Sequence, residues 1–293
     1  MATVSFVSQR SLHYGVRGRR TGGEAAPLPR VLTTAEWLTY FRANAARRRP
    51  IPWQAGGKVN ASRLAAVAPS LQGWQLGETS EGRHLRAAAA RYAARVGDPD
   101  LPAAIDLFIR EEQYHGELLG RFLDLSGPGR VRADWGDSLF RAARYCVTNM
   151  EVWTTPVVMV ETLAVIYYNA VRRATDSPVL RAVCGQILAD EGPHVRFQCE
   201  RLAALLRDRP PWARRLTMLC QRLFFLGVVA LVWLGHRRAL RAGGYGWGQY
   251  WRAAWTKMNA AWRMADPGRY VWDGGSSPAT GRYGKKGRPI VIG

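Results

Sequence analysis

Three Glu-x-x-His pairs constrain this chain more than any other feature: Glu81/His84, Glu112/His115 and Glu191/His194. With eleven Glu and five His in 293 residues, chance would supply roughly 0.2 such pairs. On a helix, side chains three apart share a face, so the carboxylate and imidazole of each pair can reach the same ion. A single pair is ordinarily a solvated helix face. The pairs here fall on stripes that are otherwise apolar, where an uncompensated charge is costly.

The stripes follow from periodicity and punctuation. Ser70 as N-cap and Gly97 as C-terminal stop predict one long helix over 71–96, with Trp74, Glu78, Glu81, Leu85, Ala88, Tyr92 and Val96 facing inward. The short Gly97–Asp100 connection implies an antiparallel partner at 101–125, whose stripe holds Ile105, Phe108, Glu112, His115, Leu119 and Phe122. A polar crossover at 126–136 leads to a third helix over 137–173, apolar on nearly every side of Glu161. Ser177 and Pro178 open a fourth, over 178–207, which places Glu191 and His194 near one face. Pro193 between them predicts a bulge or kink.

Glu81 precedes Glu112 by 31 residues and Glu161 precedes Glu191 by 30, so each half reads as a helix with Glu followed by a helix with Glu-x-x-His. In a hairpin turning near residue 98, the level of Glu112 and His115 faces roughly residues 82–85, so Glu81 lies within about one turn and Glu78 a further turn away. Glu78 competes for the same role, and His84 reads as a neighbour of the site, a surface residue or a third nitrogen ligand. Four carboxylates and two imidazoles make an oxygen-rich shell that suits iron or manganese better than zinc or copper.

This duplicated pattern over 71–207 resembles the ferritin-like di-iron carboxylate superfamily, which includes ferritins, rubrerythrins, the ribonucleotide reductase small subunit, acyl desaturases and arylamine oxygenases. The resemblance implies an all-α, ferritin-like four-helix bundle with additional N- and C-terminal helices. It implies two Fe ions, or Fe and Mn, held by Glu81, Glu112, His115, Glu161, Glu191 and His194. Glu81 and Glu161 would be terminal ligands, and Glu112 and Glu191 bridging carboxylates at an oxygen site. The activity implied is that of an oxidoreductase, an oxidase or oxygenase acting on an organic substrate with an external electron donor. An iron-handling or peroxide-scavenging protein is the alternative, although no rubredoxin-like cysteine pair is present. A metal-free basic binding protein is the third reading.

The formal charge of +20 sits in the flanks: +7 in residues 1–50, +13 in 209–293, and a neutral middle. Basic flanks fit contact with lipid headgroups, nucleic acid or an acidic partner. Nucleic acid is the least expected of these, because acids on buried stripes would then go unexplained. Residues 1–33 read as a disordered basic arm without the apolar core of a secretory signal, and 266–293 as a disordered basic tail. Between arm and bundle, 34–69 supply a short helix at about 35–48 and a connection; beyond the bundle, 209–265 supply further helices. A helix at about 212–241 carries the apolar run Leu223–Leu234, short of a convincing span, and reads as a packed core helix or a membrane contact. Residues 248–264 look amphipathic, with Trp251, Trp255 and Trp262 beside Arg252, Lys257 and Arg263. The cysteines at 146, 184, 199 and 220 show no CxxC spacing and read as buried thiols in a reducing compartment. The whole fits a cytoplasmic, membrane-associated enzyme with an apolar small-molecule substrate, and leaves a homodimer open.

Overall fold

The structure, a computed structural model, describes residues 28–134 and 150–272. The protein is all-α: no strand occurs among the described residues, in which Arg30 and Val271 form an isolated bridge. Of the arm expected over 1–33 and the tail expected over 266–293, residues 28–33 and 266–272 have defined structure: Leu32 N donates to Glu200 Oε2, and Pro267–Arg269 form a 3-10 turn. The rest of both, and the start of the third helix, fall outside the described residues.

Helix α1 (Thr34–Ala45) is fixed by a capping box in which Thr33 and Glu36 satisfy each other's backbone N–H groups. Helix α2 (Ala61–Glu78) starts at Asn60, whose side chain accepts from Ser62 and Arg63, and runs through Pro69. The single helix expected over 71–96 is therefore two. After Glu78 the chain breaks through Thr79–Gly82, and α3 (Arg83–Val96) restarts from Gly82 at φ +65°, a left-handed conformation that glycine adopts without strain. A β-carbon on Gly82 would stand 2.6 Å from Ile109 Cδ1, so the break also needs a residue without a side chain.

Helix α4 (Leu101–Ser126) packs along both α2 and α3 and stops at Gly127. Helix α5 (Met150–Ala174) packs against α6 (Pro178–Leu206), which is capped by Ser177 Oγ and continues through Pro193 with helical pairing on either side. Helices α7 (Pro211–Ala242) and α8 (Trp247–Met264) then fold back onto α5 and α6.

Three apolar clusters join these pieces. One, around Trp37, Phe41, Phe108 and Phe197, ties α1 and α3 to α4. A second, around Leu119, Tyr167, Tyr168 and Ile187, ties α2 and α4 to α5 and α6. The third, around Phe225, Trp233, Tyr250 and Trp262, fastens α7 and α8 to the α5–α6 pair.

Only one face of α7 takes part. Phe225, Val229 and Trp233 are buried, whereas Leu216, Leu219, Leu223, Leu226 and Leu234 are 38–60% exposed. The expectation of a packed core helix is corrected accordingly. Burying such a side chain is worth roughly 1.5–3 kcal/mol, so this row leaves considerable stabilisation unclaimed. The helix is long and apolar enough to cross a membrane by length and composition, with mean hydropathy 1.9 over its best window, and is compatible with membrane association. Cys184 and Cys199 are buried as expected; Cys220, on α7, is exposed, and Cys146 lies outside the described residues.

Candidate metal centre

Helices α2, α4, α5 and α6 bring Glu78, Glu112, His115, Glu161, Glu191 and His194 together in the interior. Two overlapping groups have ligand atoms that all lie within 4.8 Å of one another: Glu78, Glu112 and His115, and Glu112, Glu161 and His194. Glu112 belongs to both. Its Oε1 stands 2.8 Å from His194 Nδ1 and 4.0 Å from His115 Nδ1, a position between the two imidazoles. Glu161 Oε2 is 3.7 Å from His194 Nδ1. Glu191 is buried against Glu161 rather than in either group.

The donor atoms are left unmatched by the protein. Glu112 Oε1, Glu161 Oε2, Glu191 Oε2 and the Nδ1 atoms of both histidines are buried and make no aligned hydrogen bond, although Glu112 Oε1 and His194 Nδ1, 2.8 Å apart, form an ion pair when the ring is charged. A buried polar atom without a partner costs about 1–3 kcal/mol, and more for a charged group. Five orphans pointed at one another are therefore a cost that only a shared cation or shared protons would relieve.

The electrostatics carry the same strain. Burial, then the neighbouring Glu112, pushes the Glu78 carboxyl well above the usual range. Burial, then Glu161, does the same to Glu191. Burial also opposes the charge of Glu112, but the imidazoles of His194 and His115 outweigh it and hold that carboxyl at about 2. Burial lowers the pKa of His194, yet Glu112 and Glu111 overcome it and raise the group well above an ordinary histidine.

Each histidine is aimed from behind. His115 Nε2 donates to Asp190 Oδ2 at 2.9 Å, and His194 Nε2 donates to Glu111 Oε2 at 2.8 Å. A carboxylate can only accept, so Nε2 carries the hydrogen and Nδ1 is the atom presented to the site. The pairing crosses over: the acid on α4 holds the histidine of α6, and the acid on α6 holds the histidine of α4. Asn44, in the last turn of α1, gives its two amide hydrogens to Glu111 Oε1 and Asp190 Oδ1, each at 2.9 Å. Gln186 donates to Asp190 Oδ2 at 2.7 Å. On the opposite side Tyr168 donates to Glu78 Oε1 at 2.8 Å.

Glu81 does not join the cluster. It sits on the exposed break between α2 and α3 as an ion-pair partner of Arg83, and Glu78 occupies the inward position. His84 is likewise exposed on α3. Glu111, Asp190, Asn44 and Gln186 are absent from the sequence reading. The first two carried a signal, since an acid immediately precedes the Glu of both inward pairs, as Glu-Glu-x-x-His and Asp-Glu-x-x-His. Asn44 carried none, being remote in sequence from everything it touches.

A cavity of about 570 Å³ adjoins the carboxylates. It is lined by Glu78, Glu112, Glu161 and Glu191, by the apolar Leu85, Phe108, Ile109, Trp153 and Val157, and by Phe224, Gly227, Leu231 and His236 of α7.

Fold and site define an all-α protein with a buried, duplicated carboxylate–histidine cluster. Compared with protein-family models, with curated proteins and with solved structures, the chain matches none.

Proposed function

We propose that the chain is a non-haem di-iron, or iron–manganese, oxidase or oxygenase of the ferritin-like di-iron carboxylate kind, which oxidises an organic substrate with dioxygen and draws on an external electron donor. The observation that carries this reading is the set of buried, unpartnered oxygen and nitrogen atoms facing one another across Glu112. Their chemistry, carboxylate oxygen with one imidazole nitrogen in each group, fits iron or manganese. Glu78 with His115 would hold one ion and Glu161 with His194 the other, with Glu112 between them and Glu191 beside Glu161. Such a pair of ions supplies, when bound, the redox capacity to reduce dioxygen at the cavity wall.

The chain's own residues prepare the rest. Asp190 and Glu111 fix the two imidazoles so that Nδ1 faces inward, which spares reorientation when a ligand arrives. Tyr168 donates to the Glu78 carboxyl and so fixes its orientation on that side. Phe108, Trp153 and Val157 make the cavity wall apolar, which favours an apolar substrate. An iron-storage reading gives that cavity no role, and a metal-free binding protein leaves the orphaned donors unexplained.

Elemental analysis of protein reconstituted with ferrous iron, alone and with manganese, tests the reading. Close to two ions per chain are expected, lost in Glu112→Ala, together with oxygen consumption that depends on the ions. A chain that folds but takes up no metal would overturn it.

A further inference from the structure

The exposed row on α7 and the cavity are parts of one feature. Phe224 is 50% exposed and Leu231 40% exposed, yet both also line the cavity, so its mouth opens on the apolar face of this helix. Gly227 lies between them, and a β-carbon there would meet nothing within 4 Å. From that mouth the cavity reaches Glu78, Glu112, Glu161 and Glu191.

Charge and aromatic placement identify what covers this face. Trp212 near one end of α7 is 69% exposed, and Trp247, just beyond its other end, is 44% exposed. Such rings prefer the boundary between hydrocarbon and headgroups. Leu216, Leu219, Leu223, Leu226 and Leu234 recur at intervals of three, four and eight residues, forming one stripe on the surface. Arg215 flanks it on the N-terminal side, and Arg237, Arg238 and Arg241 on the C-terminal side, all exposed. A second copy of a chain carrying +20 would be repelled from this face, whereas an anionic bilayer would be attracted. Phe225, Val229 and Trp233 bind the other face of the helix to α8 and the α5–α6 pair, so only one side of it is open to lipid.

We infer that α7 lies in the surface of an anionic membrane, and that the substrate of the proposed oxidation is a lipid-borne molecule with an apolar chain, entering from the bilayer between Phe224, Gly227 and Leu231. The substrate half of this inference rests on the oxidase reading; the docking and the entry route do not require metal.

The full chain is to be floated with vesicles of phosphatidylcholine, with and without phosphatidylglycerol. Binding to the anionic vesicles, weakened by salt, is expected, with at least a tenfold loss in Leu219→Glu/Leu223→Glu/Leu226→Glu. Circular dichroism checks that this variant keeps its helices, and its three residues lie outside the cavity wall. Parinaric acid, a fluorescent long-chain fatty acid, is expected to bind the wild type. It should lose at least tenfold in affinity for Gly227→Phe, whose new ring fills the mouth while flotation persists. Equal binding of both chains to neutral and anionic vesicles, or a dimer by sedimentation that hides the stripe, would overturn the docking. Parinarate binding unchanged in Gly227→Phe would overturn the entry route. Glu112→Ala, if it floats and binds parinarate normally, separates these results from any failure of the metal reading.

Discussion

Glu112 and the two histidines behind it show how much of this site is set by single atoms. Asp190 and Glu111 touch none of the inward faces of the cluster, yet each dictates which nitrogen its histidine presents. Replacing either with leucine, of similar volume, should weaken ferrous or manganous binding about 10–100-fold without unfolding the chain, as read by titration with a competing chelator. A pH dependence follows from the same atoms. The raised carboxyls of Glu78 and Glu191 and the raised imidazole of His194 bind protons more tightly in the folded protein than in the unfolded chain. Their contribution is complete below the ordinary values and is lost as pH rises through the raised ones. Glu112 and Asp190, held at about 2, give theirs up only in strong acid. Chelator-treated protein should therefore melt progressively lower as pH rises above the ordinary carboxyl value of 4.5, and metal-loaded protein should lose that trend because cations replace the protons. An unchanged melting temperature of the chelated protein over that range would contradict the assignment.

The elements explain where the sequence was legible. Helices α4 and α6 announced themselves through caps, stops and inward stripes, and their residues 112, 115, 191 and 194 stand in or beside the cluster. Helix α2 did not, because Ser70 after Pro69 resembles a helix start while the operative cap is Asn60, and a proline nine residues into a helix is tolerated here. The break at Thr79–Gly82 decides between two acids three residues apart. An unbroken helix would present Glu78 and Glu81 on one face; the break ends the helix at Glu78 and turns Glu81 to solvent. Its only sequence mark is the Gly82 that the left-handed turn requires. Glu78→Ala should accordingly lose metal on the His115 side, and Glu81→Ala should load like wild type, a contrast that elemental analysis of the two variants reads directly. The exposed side of α7 was illegible for another reason: hydropathy reports how apolar a helix is, and whether a neighbour covers it depends on the whole fold.

For the molecule as a whole, the site is the place where its two halves meet. Glu78 and Glu112 come from the α2–α4 side, Glu161 and Glu191 from the α5–α6 side, and the crossed acid–histidine bonds tie one to the other. Metal bound there would stabilise both halves at once. At a free metal concentration 100 times the dissociation constant, the folded state gains about 2.7 kcal/mol, which calorimetry should read as a single transition shifted upward by several degrees. Glu112→Ala should abolish the shift.

Asn44 connects the two histidines. Its one amide group is shared by Glu111 and Asp190, and through them by both imidazoles, so a continuous chain of hydrogen bonds runs from one histidine to the other. Both rings are thus held by one network before any ion arrives, and its middle link is common to the two positions. Asn44→Leu should therefore weaken ferrous binding at both positions together rather than at one, as titration with a competing chelator would read.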